Sequence, residues 1–326
     1  MMVWQQWQLD YGAKSLEEAS YEYEQSNNNQ PDTKISEEVP DAPTVASIDS
    51  SVNETGPLLN KPVKQNKTGE KVRVETDTFS LDIDTRGGNI TRANLKKYPL
   101  SLERPDTQFP LLTELPANFY IAQSGLIATQ KELAPTHEAD YSFSQSKYEM
   151  AENQDELVVD LNWQHDSGIE VTKRFKFTRD SHVIQVSHIV NNNSKSEWSG
   201  RQYLQLQRVK PADDGQSMFI YTYTGGAIYS QEDRYEKIDF DEMADSKLNR
   251  DILGGWLAML QHYFVSAWVP PAEELHHYYS KALKNGRFVL GSYSPKNTVA
   301  PDQQTEFSAN FFSGPKLQHE LEDLSE

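Results

Sequence analysis

The most apolar and aromatic run of the chain is GGWLAMLQHYFVSAWVP, residues Gly254–Pro270. Its seventeen residues include two tryptophans, a tyrosine and a phenylalanine, and no formally charged side chain. Gln261, His262 and Ser266 interrupt the run, and it is shorter than the roughly 20 mostly apolar residues that cross a bilayer. It is either the buried centre of a domain or an exposed adhesive surface. Given the strand pattern around it, we predict two core strands joined near His262-Tyr263.

That pattern is an alternation of apolar and polar residues that begins at Lys71. In Ile169–Phe177 it is clearest, with Lys173 as the one interruption of the apolar side. About a dozen such strands at short spacing, without alternating helices, predict an antiparallel sandwich of two large sheets. Further strands are predicted at Asn118–Ala122, Glu156–Trp163, Val183–Val190, Gln202–Val209, Met218–Tyr223, His277–Leu283 and Arg287–Tyr293.

Local signals predict a turn and a short helix. Asn285-Gly286 lies between two apolar runs, and Asn-Gly is a strong β-hairpin signal. Asp241–Arg250 has the composition of a short surface helix.

A second helix is predicted for Gly314–Leu324, with Pro315 in its first turn. Its apolar stripe is narrow and the helix is short, so it needs a partner surface to be stable. We expect the stripe to dock this helix on the sandwich. The stripe consists of Leu317, Leu321 and Leu324.

Composition divides the chain and limits its function. The formal net charge of −18 argues against binding to nucleic acid, because that binding depends on Lys and Arg side chains that neutralise phosphates. There is no cysteine, so disulfides and cysteine-based metal sites are excluded. Residues 13–69 are acidic and poor in large apolar side chains, which predicts a disordered linker. Residues 70–313 form the predicted sandwich.

Chemical motifs are scarce. The sequence has no nucleophile elbow, phosphate-binding loop or zinc-protease motif, and we predict no catalytic, cofactor or metal site. Sandwiches also bind sugars through aromatic platforms and carboxylates. Residues for such a platform are Trp163, Trp198, Tyr203 and Tyr221, with Glu170 or Asp160 as the acid or base. Aromatic residues at this spacing are also typical of a core.

The segment 221–240 mixes tyrosines with charged residues, a composition found in protein–protein interfaces. The alternative is a loop whose tyrosines pack back on the sandwich. The candidate partner-binding residues are Tyr221, Tyr223, Tyr229, Asp233, Tyr235 and Glu236.

Several blocks in the same order resemble the large periplasmic domain of the YidC family of bacterial membrane protein insertases. Tyr223-Thr224 departs from the family pattern, in which many relatives carry Phe-Arg. The matching blocks are Gly254–Pro270, Gly225–Ser230, Tyr235–Lys237, Asp84–Gly88, Phe311–Pro315 and Trp4–Trp7.

The resemblance implies a β-supersandwich similar to sugar-binding and mutarotase-like domains, on the periplasmic side of the inner membrane of a Gram-negative bacterium. Residues 1–12 then follow a first transmembrane helix, and 314–326 lead toward a second. Insertion itself belongs to membrane helices outside this chain. The implied role is a non-enzymatic one, which assists insertion and folding of nascent inner-membrane proteins with the Sec translocon. The implied contact with its accessory SecDF maps to a sheet-edge region near Trp198–Phe240.

Two alternatives remain at this stage. One is a sandwich that binds a glycan or a lipid ligand. The other is a mutarotase-like carbohydrate enzyme, which rests on fold analogy alone.

Overall fold

The computed structural model describes residues 69–101, 103–211, 223–245, 248–261 and 263–316. Within these ranges the chain forms twenty strands, numbered β1–β20 in chain order. One α-helix, α1, spans Phe240–Ala244, and two 3-10 turns span Pro116–Asn118 and Lys131–Leu133. Outside the described ranges lie the segments 1–12 and 13–68, Tyr221, and the leucine stripe of the predicted C-terminal helix.

Eleven strands form the larger sheet. Its order is β14-β17-β18-β11-β5-β3-β2-β1-β7, with β4 beside β3 and β19 beside β11. The strands are β1 (Lys71–Glu75), β2 (Phe79–Asp84), β3 (Asn89–Ser101), β4 (Arg104–Leu112), β5 (Tyr120–Ala128), β7 (Lys147–Glu149), β11 (Trp198–Val209), β14 (Asn249–Leu253), β17 (Leu275–Ala282), β18 (Arg287–Tyr293) and β19 (Asn297–Val299).

Nine strands form the other sheet, in the order β13-β12-β15-β16-β20-β10-β9-β8-β6. All of its described pairings are antiparallel, as the alternating sequence pattern predicts. The strands are β6 (Ser142–Phe143), β8 (Glu156–Gln164), β9 (Ile169–Thr178), β10 (Val183–Asn192), β12 (Thr224–Ser230), β13 (Arg234–Ile238), β15 (Trp256–Gln261), β16 (Phe264–Val269) and β20 (Gln303–Pro315).

The apolar run at 254–270 forms the adjacent strands β15 and β16, so the prediction of two core strands is confirmed. Leu257 and Trp268 are opposite each other in the register and point into the core between the sheets. Trp268 is 1% exposed, and its Nε1–H donates to the carbonyl oxygen of Gln205 in the larger sheet at 3.1 Å. This run therefore joins the two sheets.

The predicted Asn-Gly hairpin is also confirmed. Strand β17 ends at Ala282 and β18 begins at Arg287. Gly286 has a φ of 76°, a left-handed conformation that glycine adopts without strain. Asn285 Oδ1 accepts a hydrogen bond from the Arg287 backbone N–H at 3.2 Å.

The predicted surface helix is wrong in its extent. Helix α1 begins at Phe240 because Asp239 and Glu242 form a capping box, in which each side chain accepts the other's backbone N–H. The helix ends at Ala244. Arg250 instead lies in β14, which pairs with β17 along the edge of the larger sheet.

The start of the predicted C-terminal helix is wrong as well. Gly314 and Pro315 belong to β20, where Pro315 pairs with Phe264 of β16. The sheet pairing of β20 therefore continues through the position that we assigned to a first helical turn.

Lys173 lies inside the sandwich, as its position on the apolar side of β9 predicts. Its side chain is fully buried, and Nζ donates to the carbonyl oxygens of Gly87 and Ser124, both at 2.8 Å. Burial lowers the pKa of this amine well below its ordinary value, because the interior of the sandwich solvates a cation less well than water does.

Candidate interaction surface

Five of the predicted partner-binding residues lie within the described chain, and all five belong to one β-hairpin, which we call the tyrosine hairpin (residues 223–238). They are Tyr223, Tyr229, Asp233, Tyr235 and Glu236. Its second strand, β13, is the last strand of the nine-stranded sheet. The register places Tyr235 opposite Tyr229, and Tyr229 opposite Trp256 of β15. The three rings therefore form a row across the outer face of the sheet, starting at its edge.

Ring contacts hold this row together. Tyr229 stacks on Trp256 with centroids 5.7 Å apart and ring planes 13° apart. Tyr235 is tilted against the same indole at 6.1 Å. Tyr229 is half-buried, whereas Tyr235 is 46% exposed. Tyr235 is thus the member of the row that is most available to another molecule.

Tyr223 packs back onto the hairpin. Its hydroxyl donates to the carbonyl oxygen of Gly226 at 2.8 Å, and Lys237 Nζ lies 4.7 Å from its ring centroid. The sequence allowed either a protein–protein interface or a loop whose tyrosines pack back on the domain, and these two interpretations apply to different residues. Tyr223 stabilises the hairpin, and Tyr235 is exposed.

The acidic residues of the hairpin are paired within the domain. Arg250 Nη1 lies 3.3 Å from Asp233 Oδ2, and its Nη2 donates to Glu236 Oε2. Arg250 belongs to β14, the edge strand of the larger sheet. The two ion pairs therefore join the adjacent edges of the two sheets. Because all three side chains are partly exposed, each pair contributes at most about 1 kcal/mol.

Beside the aromatic row runs an apolar groove of about 140 Å³. Two alanines, Ala258 of β15 and Ala267 of β16, are register partners on its floor. This side of the sheet faces away from the inter-sheet core. The groove is lined by Tyr235, Trp256, Ala258, Leu260, Val265, Ala267, Val269 and Lys316.

Our sequence reasoning did not find the groove, although the signal is present. On both strands of the apolar run, the positions that face away from the core are apolar as well, namely Trp256, Ala258 and Leu260 on β15 and Val265, Ala267 and Val269 on β16. A strand that is apolar on both faces indicates cover on both faces. We assigned the whole run to the core and missed its second face.

Two of the described aromatic residues of the sugar platform considered from the sequence are not available at the surface. Trp198 and Tyr203 are both buried, and Trp198 Nε1–H donates to the carbonyl oxygen of Leu133 at 2.9 Å. Asp160 forms a two-point ion pair with Arg174 at 2.8 and 2.7 Å. These residues are engaged in packing and pairing within the sandwich.

Two histidine–carboxylate pairs were also not anticipated. His277 contacts Asp251 through Nδ1 and Asn249 through Nε2, both at 2.7 Å. His276, on the opposite face of β17, contacts Ser292 through Nδ1 and Glu274 through Nε2. All four ring nitrogens have partners inside the domain.

The fold defines the class of this chain, an antiparallel β-supersandwich domain. Among the described residues, no helix has the length and apolar content of a membrane span. The family model of the YidC periplasmic domain matches residues 71–326. The chain belongs to this family, which confirms the resemblance and the predicted fold class.

Relatives at moderate identity support the assignment. The membrane protein insertase YidC of Methylococcus capsulatus is 38% identical over 99% of this chain and 56% of that protein. The insertase YidC of Alkalilimnicola ehrlichii is 42% identical over 78% of this chain and 45% of that protein. The chain therefore spans about half the length of these relatives. The family places it on the periplasmic side of the inner membrane, as predicted, and the prediction of a non-enzymatic domain is confirmed.

Solved structures with a similar arrangement are distant. Slr1438 from Synechocystis is 10% identical, with a TM-score of 0.46 over 79% of this chain and 100% of that chain. A galactose mutarotase related enzyme from Lactobacillus acidophilus is 9% identical, with a TM-score of 0.43 over 76% of this chain and 100% of that chain.

Proposed function

We propose that this domain assists the insertion and folding of inner-membrane proteins by binding other proteins of the Sec translocon, and that the tyrosine hairpin is its contact surface. The proposed partner is SecDF, and the proposed clients are nascent inner-membrane proteins. The observation that carries the proposal is the exposed Tyr235 on an edge strand, next to a rim of charged side chains.

Part of the SecDF contact region that the resemblance implies, residues 198–240, is buried and therefore not accessible to a partner. The region 198–240 begins with β11, which lies in the interior of the larger sheet and is buried along nearly its whole length. Within the described part of this region, β13 alone is an edge strand, and β12 lies next to it. A partner that approaches the folded domain here meets the hairpin rather than β11.

The chemistry of the hairpin matches that of a protein–protein contact. Interfaces concentrate binding energy in aromatic anchors and surround them with polar side chains. Tyr235 is the anchor here, and Arg234 and Glu236 flank it on the same strand. Charged residues on an edge strand also oppose uncontrolled strand pairing. The edge therefore favours contact through side chains.

Tyr235→Ala should weaken co-purification of SecDF with the complete insertase by about tenfold or more, because removal of a hot-spot side chain costs about 2 kcal/mol. Tyr263→Ala is the matched control, since Tyr263 is 70% exposed on the turn between β15 and β16. We measure the ratio of SecDF to insertase after affinity purification. If both folded variants recover the same amount of SecDF, the assignment of the tyrosine hairpin as the contact surface is wrong.

Charge reversal at Asp233 or Glu236 is a less specific test than the sequence suggested. Each reversal places a second cation beside Arg250 and removes a bond between the two sheet edges. Any loss of binding then reports partly on the edge itself. The exposed ring of Tyr235 avoids this ambiguity.

We further propose that residues 317–326 occupy the apolar groove. The described chain ends at Lys316, which lines the groove. The following ten residues contain the predicted leucine stripe and four acidic residues with no Lys or Arg. Burial lowers the pKa of Lys316, and the positive charge of the neighbouring Lys237 contributes to the same shift. The leucines of this segment match the apolar lining of the groove, and its acidic residues match the lysines beside the groove.

Leu321→Asp should lower the thermal midpoint of the domain by roughly 5 °C or more. The change removes about 2 kcal/mol of apolar burial and places a charge in the groove. His319→Asp is the control, because it adds the same charge outside the leucine stripe. A midpoint that Leu321→Asp leaves unchanged, measured by calorimetry, means that this segment does not occupy the groove.

A further inference from the structure

A second pocket, of about 380 Å³, lies on the outer face of the nine-stranded sheet. Trp256 and Val269 belong to both this pocket and the apolar groove, so the two are neighbours. Their linings differ in chemistry, because the second pocket carries amide, hydroxyl and carboxylate groups. We call it the carboxamide pocket. The residues used below are Gln185, Tyr229, Gln231, Trp256, Glu273 and Asn310.

Three side-chain amides of this pocket are uncommitted. Gln185 of β10 and Asn310 of β20 are register partners, and both are exposed. Gln231 follows β12 and is exposed as well. Within the described chain, none of these three amides is engaged in a hydrogen bond. Each offers two N–H donors and a carbonyl acceptor on the same pocket.

The remaining lining groups restrict the ligand further. Trp256 and Tyr229 supply an aromatic wall, and Pro270 and Pro271 supply a rigid apolar one. Among the described residues that line the pocket, Glu273 is the one charged side chain, and none is Lys or Arg. The pocket therefore disfavours anions. Its volume lies within the range of about 300–1,000 Å³ that is typical of small-ligand sites.

We propose that the carboxamide pocket binds a neutral saccharide. A sugar ring presents pairs of hydroxyl groups, each both donor and acceptor, which match carboxamides. It also presents C–H faces that pack on aromatic and proline rings. This inference is independent of the contact proposed for the tyrosine hairpin.

An extended peptide fits this pocket less well. Peptides that bind to sheets obtain most of their affinity from backbone bonds to an open strand edge. Here β10 lies between β9 and β20, and β20 lies between β16 and β10, so neither has an open edge. Recognition must come from side chains, and these side chains match hydroxyl groups.

The test measures binding of neutral tetrasaccharides to the full chain by calorimetry, with cellotetraose, maltotetraose and tetra-N-acetylchitotetraose as probes. Sialyllactose is the anionic comparison, and a Gly/Ser heptapeptide is the peptide comparison. At least one neutral tetrasaccharide should bind with a dissociation constant below about 1 mM, which corresponds to about −4 kcal/mol. The double variant Gln185→Ala, Asn310→Ala should weaken this binding about tenfold or more.

A matched control exists on the same two strands. Asn191 and Gln304 are also register partners on β10 and β20, and they lie outside the pocket lining. Asn191→Ala with Gln304→Ala removes the same two side-chain types and should leave binding unchanged. The proposal is overturned if no neutral saccharide binds at millimolar concentration, if both double variants weaken binding equally, or if only the peptide or sialyllactose binds.

Discussion

Trp268→Ala should destabilise the domain by about 4 kcal/mol, within the range for buried tryptophan truncation. For a domain of this size that loss lowers the thermal midpoint by roughly 10 °C. Trp268 is fully buried, contacts Phe311 at a centroid distance of 4.8 Å, and bonds to Gln205 of the other sheet. The substitution removes a large side chain at the place where the two sheets are joined. Denaturant unfolding of purified variants measures the loss.

Two comparisons separate the causes. Trp268→Phe keeps an aromatic ring and loses the indole N–H, so it should cost about 1–2 kcal/mol. Trp256→Ala removes the same side chain from the outer face of the adjacent strand, where the indole is half-buried. Its loss should be clearly smaller than that of Trp268→Ala. Equal losses at both positions contradict the assignment of Trp268 to the joint between the sheets.

The second large effect is a loss of stability in mild acid. The pKa of His137 is lowered to about 4, chiefly by burial; the neighbouring Glu138 opposes the shift, whereas Lys173 and Arg86 contribute to it. Its hydrogen-bond partner at Nδ1 is the Tyr203 hydroxyl, at 2.8 Å. The unfolded chain binds this proton near pH 6.5, whereas the native state does not.

The stability contribution is therefore fully present above pH 6.5 and is lost as the pH falls toward 4. A shift of this size corresponds to about 3 kcal/mol. His137→Asn should flatten the dependence of unfolding free energy on pH in this window, because it removes the titrating group. His165→Asn, at the partly exposed turn between β8 and β9, should retain the wild-type slope. If His137→Asn leaves the slope of unfolding free energy against pH unchanged, this explanation is wrong.

The sequence predicts the sandwich because its strands alternate and its key turn is chemically explicit. Ile169–Phe177 lies within β9, and Asn285-Gly286 lies at the turn between β17 and β18. The run 254–270 forms two strands as expected. These features depend on local periodicity and turn chemistry, which a single chain displays directly.

Strand pairing determines the structure of the two regions where the prediction from the sequence was wrong. A capping box starts α1, but β14 takes the following residues because β17 offers an open edge for pairing. Likewise, β20 extends to Pro315 because β16 pairs with it to the end. Neither partner strand is adjacent in sequence, so local propensity could not reveal it.

The candidate surface was predictable in its residues and not in their roles. Its composition identified the tyrosines and acids of one hairpin. It did not show that Arg250, from the other sheet, binds both Asp233 and Glu236. It also did not show that Tyr223 packs back while Tyr235 is exposed. These differences arise from contacts between elements that are far apart in the chain.

The most direct test of the central claim is site-specific photocrosslinking in cells, with the photoreactive residue at position 235 of the complete insertase. Val158 is the comparison site, because it is 42% exposed on β8, near the opposite edge of the same sheet. We predict a crosslink from position 235 to SecDF and none from position 158. The account is contradicted if neither position crosslinks to SecDF, or if both positions do so equally strongly.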